Sequence, residues 1–190
     1  MIQKHRHFII HKPFGFLSQF VNNQTKRKKK LLSELHDFPE KTMAIGRLDV
    51  ASEGLLFLTT DGMVSEIIRS SKYEKEYYVQ VDGEITDEAI LQLKKGVEIG
   101  FEGKKYTTKP CNAFIIDTPN FAQRKKKIRD PRHGPTSWIS ITLREGKFRQ
   151  VRKMTAAVGF PTLRLVRVRI GSILLGGIKQ GGVKEVNHFF

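Results

Sequence analysis

Alternating and continuous apolar runs divide the chain into many short strands. Strict alternation over a few residues is typical of a half-buried strand, and KEYYVQVDG at 75–83 and SWISITL at 137–143 show it. GLLFLTT at 54–60 is a continuous apolar run that ends in two threonines, which predicts a central strand. Weaker patterns predict further strands at 7–13, 15–21, 42–46, 97–99, 107–116 and 162–171, and a closing hairpin within 176–186.

Three segments carry the signals of helices instead. Their apolar residues recur every three or four positions, at 61–71, 86–96 and 149–159. Asp61 is placed to cap the first of them, and Met63, Ile67 and Ile68 are predicted to face the core. Because strands outnumber helices and are mostly joined by turns, the sequence predicts an α+β fold with a mainly antiparallel sheet, in a single domain over residues 1–190.

Charge is the compositional feature that adds most to this picture. The chain has 34 Lys and Arg against 19 Asp and Glu, a net charge of +15. An imbalance of this size favours a polyanionic partner, above all nucleic acid, over a merely soluble basic protein. Two runs, Lys26–Lys30 and Arg124–Lys127, suit contacts with an RNA backbone and equally suit solvated loops.

Other features of the composition narrow the class of protein. No apolar stretch approaches the roughly 20 residues that span a bilayer, so no membrane partner is expected. The single cysteine, Cys111, rules out an internal disulfide framework and fits a reducing cytoplasm. His5, His7 and His11 could form a chance metal site, but a solvated basic edge is favoured and no metal is assigned.

Asp49 is the best candidate for a catalytic carboxylate. It lies with Arg47 in the loop AIGRLDVASEG at 44–54, directly before the continuous apolar run. A loop held by a rigid scaffold can present a carboxylate to a cleft, where the carboxylate acts as a nucleophile. Spacing alone favours the other interpretation, in which Asp49 caps the turn or pairs with Arg47.

EGKFRQVRKM at 145–154 is the second candidate segment. Arg149, Arg152 and Lys153 are spaced by three and four positions, so they would share one helical face with Phe148 beside them as a stacking surface. A phosphate-binding face and a solvated helix face fit this spacing equally well. Arg152 also flanks a buried stripe, and a buried arginine needs an acidic partner, for which Asp49 is a candidate.

Tyr77 is the third candidate. The alternation of its strand puts its ring on the same face as Val79, where core packing is the ordinary interpretation. Lys75 beside it adds some weight to a nucleic-acid cleft, in which aromatic rings stack on bases.

Taken together and in this order, these segments resemble a known family. HKPFGFLSQF, GRLDVASEGLLFLTTDG, KEYYV and EGKFRQVRKM are similar to motifs of the RsuA-like RNA pseudouridine synthases, and the resemblance covers nearly the whole chain. The stretch from Pro135 to Gly171 resembles in particular a branch that modifies 23S ribosomal RNA without the family's N-terminal S4 domain. That domain needs roughly 60 further residues, so the chain is expected to lack it.

The resemblance implies a fold, a reaction and residue roles. The fold is an α+β catalytic domain, with an extended, mainly antiparallel sheet flanked by helices and a central RNA-binding cleft. Asp49 would be the nucleophile that attacks the target nucleoside. Tyr77 would stack on the flipped uracil and assist removal of the C5 proton, and Arg152 would pair with Asp49. Arg47 would enter the gap that the extruded nucleotide leaves.

The same resemblance implies the partners. The substrate would be 23S ribosomal RNA, and the reaction would need neither a cofactor nor a metal. The chain is expected to act as a monomer in the cytoplasm. RNA contacts are expected from Arg47, Lys75, Phe148, Arg149, Lys153, Lys28 and Lys126.

Two other classes of function stay open at this point. A non-catalytic RNA-binding or ribosome-assembly protein would have kept the fold and lost the Asp, Tyr or Arg, and all three are present here. A DNA-binding protein has no helix-turn-helix or zinc-finger pattern to support it. Small departures from the family motifs, at Ser52, Thr60 and Lys153, leave the nucleophile position unchanged.

Overall fold

A computed structural model describes residues 5–21, 29–70, 73–124 and 126–190 of the chain. Its strands are β1 (His7–Lys12), β2 (Met43–Ile45), β3 (Glu53–Thr59), β4 (Lys75–Asp82), β5 (Glu98–Phe101), β6 (Lys104–Thr107), β7 (Asn112–Ile116), β8 (Thr136–Leu143), β9 (Thr162–Ile170), β10 (Ile173–Leu174) and β11 (Val183–Val186). Its helices are α1 (Gly62–Arg69), α2 (Asp87–Lys95) and α3 (Gln150–Ala157), with short 3₁₀ turns at Leu32–Glu34 and Pro131–His133.

These elements form two compact units. The first unit contains the described residues up to Tyr73 together with Arg167–Phe190, and the second spans Glu74–Val166. Strand β9 therefore contributes its first five residues to the second unit and its last four to the first.

The first unit is built around β1 and β3. Strand β1 lies between β11 and β3 and is antiparallel to both, and β2 also pairs with β3. Strand β3 forms where the apolar run predicts a central strand, every residue of it is buried, and its leucines and Phe57 form much of this unit's core. Burial of such side chains supplies most of the driving force for folding, at about 25 cal/mol per Å² of apolar surface.

Two predicted elements of the first unit do not form. Residues 15–21 form no strand, and only Phe16 makes an isolated bridge, to Lys30. The closing hairpin is absent from the described residues, because β10 pairs with β9 whereas β11 pairs with β1.

Helix α1 begins as predicted, but its buried face differs from the predicted one. Asp61 caps the helix by accepting hydrogen bonds from the backbone N–H groups of Met63 and Val64. Ile68 is buried, yet Met63 is 77% exposed and Ile67 58% exposed. The helix packs against β2 and β3 along a single narrow face, so apolar residues outside that face remain in solvent.

The second unit is built around β8. Strand β8 lies between β4 and β7, antiparallel to both, and the separate β5–β6 hairpin is antiparallel as well. Helix α2 packs on β7 and α3 packs on β5. Thr86 caps α2 and Gly96 ends it at a φ of 101°, as predicted. Both units thus combine antiparallel strands with a few helices, which confirms the α+β class.

Candidate active site and RNA-binding residues

Arg47 and Asp49 lie in the loop between β2 and β3 of the first unit. Leu48 between them is buried, whereas Arg47 is exposed and Asp49 is half-buried. Anchoring the central residue of a loop in the core leaves its two neighbours at the surface on a fixed backbone. Arg47 is therefore presented to solvent, and Asp49 keeps part of its side chain accessible on the same backbone.

The segment after β1 braces this loop. Ser18 Oγ donates to the carbonyl oxygen of Leu48 at 2.8 Å and accepts from the Leu48 N–H at 2.9 Å. The Gly15 N–H donates to the carbonyl oxygen of Val50 at 2.8 Å. Residues 15–18 therefore act as a support for both neighbours of Asp49, and this is the physical reason why they do not form the predicted strand.

A buried lysine organises the same support. The ammonium of Lys12 is fully shielded from solvent and donates to the carbonyl oxygens of Pro13 at 2.9 Å and Phe16 at 2.7 Å. A buried ammonium that keeps two carbonyl acceptors holds the turn between them in one conformation. Lys12 thereby links the last residue of β1 to the segment that supports Asp49.

Three charged groups of the first unit act on this ammonium. The pKa of Lys12 is lowered to about 7, mainly because the group is buried; the carboxylates of Glu53 and Asp49 oppose this shift, and the guanidinium of Arg167 adds to it. Glu53 and Arg167 are themselves buried. Asp49 thus lies close enough to a buried cation to interact with it electrostatically.

The free energy of unfolding is expected to depend on Lys12 above pH 7. Since the pKa is about 7 in the folded protein and about 10.4 in an unfolded chain, the unfolded chain binds more protons between these values. The free energy of unfolding contributed by this group therefore rises with pH in that window, by about 1.4 kcal/mol per pH unit at most. Urea titrations at pH 7, 8 and 9 measure this slope for the wild type and for Lys12→Met.

The variant is expected to lose the contribution of Lys12, whatever its overall stability. Burial raises the pKa of the Cys111 thiol to about 11 in the folded protein, whereas an unfolded thiol titrates near about 8.5, so Cys111 lowers the free energy of unfolding as pH rises above about 8. This contribution is present in both proteins and cancels in their difference, so the wild-type slope minus the variant slope reports Lys12. Equal slopes in the two proteins would show that Lys12 does not titrate there.

In the second unit, Tyr77 lies on β4 opposite Ile141 of β8 and is only 9% exposed. It shares the buried face of β4 with Val79 and Val81, so core packing accounts for most of its surface. Tyr78 points to the other face, where its ring lies 6.1 Å from that of Phe121. Tyr77 thus lies on the same face as Val79, as the alternation predicts.

Helix α3 carries Arg152 and Lys153 but not Arg149. Arg149 precedes the helix in the left-handed conformation, with φ of 53° and ψ of 32°. The predicted helical face shared by all three cations is therefore wrong, since the backbone turns sharply at Arg149. Arg152 is half-buried, and its Nη1 donates to the carbonyl oxygen of Thr162 at 3.4 Å.

Glu145 fixes the start of this helix. Its carboxylate accepts hydrogen bonds from Tyr106 Oη at 2.6 Å, the Lys109 N–H at 2.9 Å and Gln150 Nε2 at 2.6 Å. One side chain thus joins β6, the segment before β7 and the first residue of α3. Arg152, which is half-buried, therefore lies on a helix whose first residue is hydrogen-bonded through Glu145 to β6 and to the segment before β7.

The chain is similar in sequence to known RNA pseudouridine synthases. Residues 6–157 match the family model described as RNA pseudouridylate synthase. A relative from Vibrio parahaemolyticus named ribosomal large subunit pseudouridine synthase E is 41% identical over 97% of this chain and 75% of its own. A relative of the same name from Xanthomonas campestris is 38% identical over 91% of each chain.

The fold is also similar to that of a solved structure. A crystal structure of a pseudouridylate synthase is 27% identical, has a TM-score of 0.76, and matches over 97% of this chain and 71% of its own. The chain belongs to the RNA pseudouridine synthase family. Family membership confirms the resemblance and the enzyme class that the motifs indicate, while the role of each residue stays a prediction.

The structure of this pseudouridine synthase places the predicted residues in both units. Arg47 and Asp49 belong to the first unit, and the second contains Tyr77, Lys75, Arg152, Phe148, Arg149, Lys153 and Lys126. Lys75 is half-buried at the start of β4, whereas Phe148 and Lys126 are exposed. Lys28 lies outside the described residues.

The second basic run of the synthase lies in an anchored loop. Arg129 pairs with Asp82 at the end of β4 and donates to the carbonyl oxygens of Gly134 at 2.7 Å and Pro135 at 2.9 Å. Arg124 Nε donates to the carbonyl oxygen of Lys126 at 3.0 Å. Lys126 and Lys127 are therefore exposed cations on a loop that is tied to the sheet at its far end.

Sequence reasoning missed Lys12 and Glu145. Lys12 precedes a Pro-Phe-Gly turn and Glu145 begins the EGKFRQVRKM segment, but nothing in the spacing shows that either side chain has buried partners. Among the described residues, no cluster of His, Cys, Asp and Glu could hold a metal ion. No helix in the part of the chain that the structure describes is long and apolar enough to cross a bilayer.

Proposed function

We propose that the chain isomerises a specific uridine of 23S ribosomal RNA to pseudouridine, with Asp49 as the nucleophile. The observation that carries the choice of RNA is the similarity to relatives named ribosomal large subunit pseudouridine synthase E, at 38 to 41% identity over more than nine-tenths of the chain. We further propose that the protein acts as a monomer in the cytoplasm.

The reaction neither adds nor removes atoms. The N1–C1′ glycosidic bond breaks, the detached uracil rotates, and C5 bonds to C1′ while the C5 proton leaves and N1 gains a proton. The bond between the Asp49 carboxylate and the nucleoside forms and breaks again within the same cycle, so the carboxylate is regenerated. The reacting atoms are not accessible inside a helical stack, so the target nucleotide must be extruded. Extrusion costs a few kcal/mol, and contacts between basic side chains and the RNA backbone offset that cost.

The loop at 46–52 supports the role of Asp49. A nucleophile must be held at a fixed position while remaining accessible to the substrate. Asp49 is half-buried between two residues whose backbone groups are braced by Ser18 and Gly15. Arg47 is exposed in the same loop, which supports a contact with the RNA beside the extruded nucleotide.

The elements of the second unit support the other two roles. Tyr77 is held in the core by its packing, so its small exposed portion has a fixed orientation for stacking on a base. Arg152 is half-buried on a helix that Glu145 anchors. The pairing of Arg152 with Asp49 stays a prediction of the resemblance.

Mapping pseudouridines in ribosomal RNA tests the function directly. Total ribosomal RNA from a strain with the gene, a strain without it and a complemented strain would be compared position by position. We expect one 23S position to lose pseudouridine in the deletion strain and to regain it on complementation, with 16S RNA unchanged. An unchanged 23S profile would overturn the proposed substrate.

The basic loop gives a second measurement. Lys126 and Lys127 are exposed, so Lys126→Gln with Lys127→Gln is expected to weaken binding to a 23S fragment at low salt. Each lost phosphate contact removes about 0.7 to 0.9 from the slope of log K against log salt concentration. The matched control is Lys94→Gln with Lys95→Gln at the end of α2, which removes the same charge elsewhere in the unit. If both double variants gave the wild-type slope, the loop would lie outside the interface.

A further inference from the structure

Lysines and aromatic rings alternate where the β5–β6 hairpin meets the start of α3. Lys147 Nζ lies 4.8 Å from the ring centroid of Phe101 and 5.1 Å from that of Tyr106. Lys153 Nζ lies 5.4 Å from the ring centroid of Phe148. We refer to these five residues, all in the second unit, as the aromatic–lysine surface.

This surface is held in place by hydrogen bonds beneath it. Tyr106 donates to Glu145 at 2.6 Å, and the same carboxylate accepts from Gln150 of α3. Lys153 Nζ donates to the carbonyl oxygen of Gly100 in β5 at 2.6 Å, which ties the helix directly to the hairpin. The rings and ammonium groups are therefore presented on a preorganised support.

Phe148 is the most exposed ring of this surface. It is 65% exposed, although burying such a ring is worth a large amount of free energy. The left-handed backbone at Arg149 directly follows it and turns the chain into α3, which leaves Phe148 projecting before the helix. Much of this ring is therefore accessible to a group that binds from outside the chain.

The chemistry of the surface matches single-stranded RNA. An exposed ring stacks on a base only if that base is not already stacked between neighbours in a duplex. Each ammonium has three donor hydrogens, so one that lies over a ring keeps donors for a phosphate. A polyanion also complements the chain's net charge of +15.

We propose that the aromatic–lysine surface binds unpaired RNA nucleotides that flank the target, with a base on Phe148 and phosphates on Lys147 and Lys153. The inference rests on the proposed RNA substrate, which it extends from the extruded uridine to a neighbouring unpaired segment. Because every base has an aromatic face, this contact recognises the unpaired state rather than the base sequence.

Fluorescence anisotropy with a labelled decauridylate measures this binding on the full chain. Phe148→Leu keeps apolar bulk and removes the aromatic face, so its Kd should rise about five- to tenfold. Phe148→Trp should restore wild-type affinity or exceed it. Lys147→Gln should reduce the salt slope by about 0.7, as expected for one lost phosphate contact with a single strand.

Phe114 on β7 provides the matched control, because it is also a half-exposed phenylalanine of the second unit. Phe114→Leu should leave the Kd for decauridylate unchanged, and Phe148→Leu should leave the Kd for a blunt RNA duplex unchanged. An equal loss for single strand and duplex, a loss below twofold, or an equal loss with Phe114→Leu would overturn the inference.

The outcome is separable from the proposed function. Pseudouridine mapping reports the reaction at 23S RNA, and decauridylate binding reports this surface without any reaction. If a Phe148→Leu strain kept its 23S pseudouridine and the purified variant bound decauridylate like the wild type, the proposed binding surface would be wrong and the proposed function would stand. If Phe148→Leu lost affinity for decauridylate but mapping found no 23S position that depends on the gene, the binding surface would stand and the proposed substrate would be wrong.

Discussion

Asp49→Asn is expected to abolish pseudouridine formation while leaving the fold and most of the RNA affinity intact. An amide of the same shape cannot act as a carboxylate nucleophile, so the rate should fall by on the order of 10⁴-fold or more. The bonds that brace Leu48 and Val50 use backbone groups and the hydroxyl of Ser18, so they do not depend on the Asp49 carboxylate. Product formation would be measured on 23S RNA from the deletion strain.

Asp61→Asn is the matched control for this variant. It makes the same chemical change in the same unit, at the residue that caps α1 through the N–H groups of Met63 and Val64. Asparagine caps helices about as well as aspartate, so stability should change little and activity should be kept. Full activity of Asp49→Asn would instead assign Asp49 to the turn, as the spacing of the sequence taken alone suggests.

Among Gly→Ala substitutions in the first unit, Gly54→Ala is expected to cause the largest loss of stability. Gly54 has a φ of +106°, a region that residues with a side chain rarely adopt. A Cβ there would lie 2.6 Å from the backbone N of Arg167 and 2.9 Å from its carbonyl carbon, and closer still to its oxygen. Backbone of a packed strand cannot give way as a flexible side chain can, so a loss of about 3 kcal/mol or more is expected.

The Gly54→Ala substitution is expected to displace Asp49 as well as to destabilise the core. Gly54 is in β3, which directly follows the loop of Asp49, so a displaced β3 would move the nucleophile. Denaturant unfolding measures the loss, and soluble yield reports it where the variant fails to fold. Gly62→Ala is the control, because a Cβ at Gly62 meets no heavy atom within 4 Å, and its unfolding free energy should stay within about 0.5 kcal/mol of the wild type. If the unfolding free energy of Gly54→Ala changed by a similarly small amount, β3 and β9 would be able to move apart at Gly54 and Arg167.

The sequence predicts the elements best where the pattern is long and uniform. β3, β4 and β8 form where unbroken or alternating apolar residues predict them, because burial of those side chains decides their place. The caps Asp61 and Thr86 are also confirmed, since each acts on backbone groups within three residues of itself. Such local interactions need no knowledge of the rest of the fold.

The candidate site residues could be identified from the order of the motifs but not from the spacing of single residues. The composition points to RNA, but the spacing of Asp49, Tyr77 and Arg152 alone left each of them with an ordinary structural interpretation. Their order within the four resembling segments identified the family, and the comparisons confirm it. Asp49→Asn tests the role of Asp49, and the roles of Tyr77 and Arg152 stay predictions of the resemblance.

The sequence by itself determined the long strands β3, β4 and β8, the caps of α1 and α2, and the family, and it predicted a polyanionic partner. Only the tertiary structure decided that residues 15–18 brace the Asp49 loop instead of forming a strand, that Lys12 is buried, and that Glu145 joins three segments. The physical reason is distance along the chain: Ser18 bonds Leu48 across 30 residues and Tyr106 bonds Glu145 across 39. A periodic pattern records which face of an element is buried, but it does not record which remote polar group that face will meet.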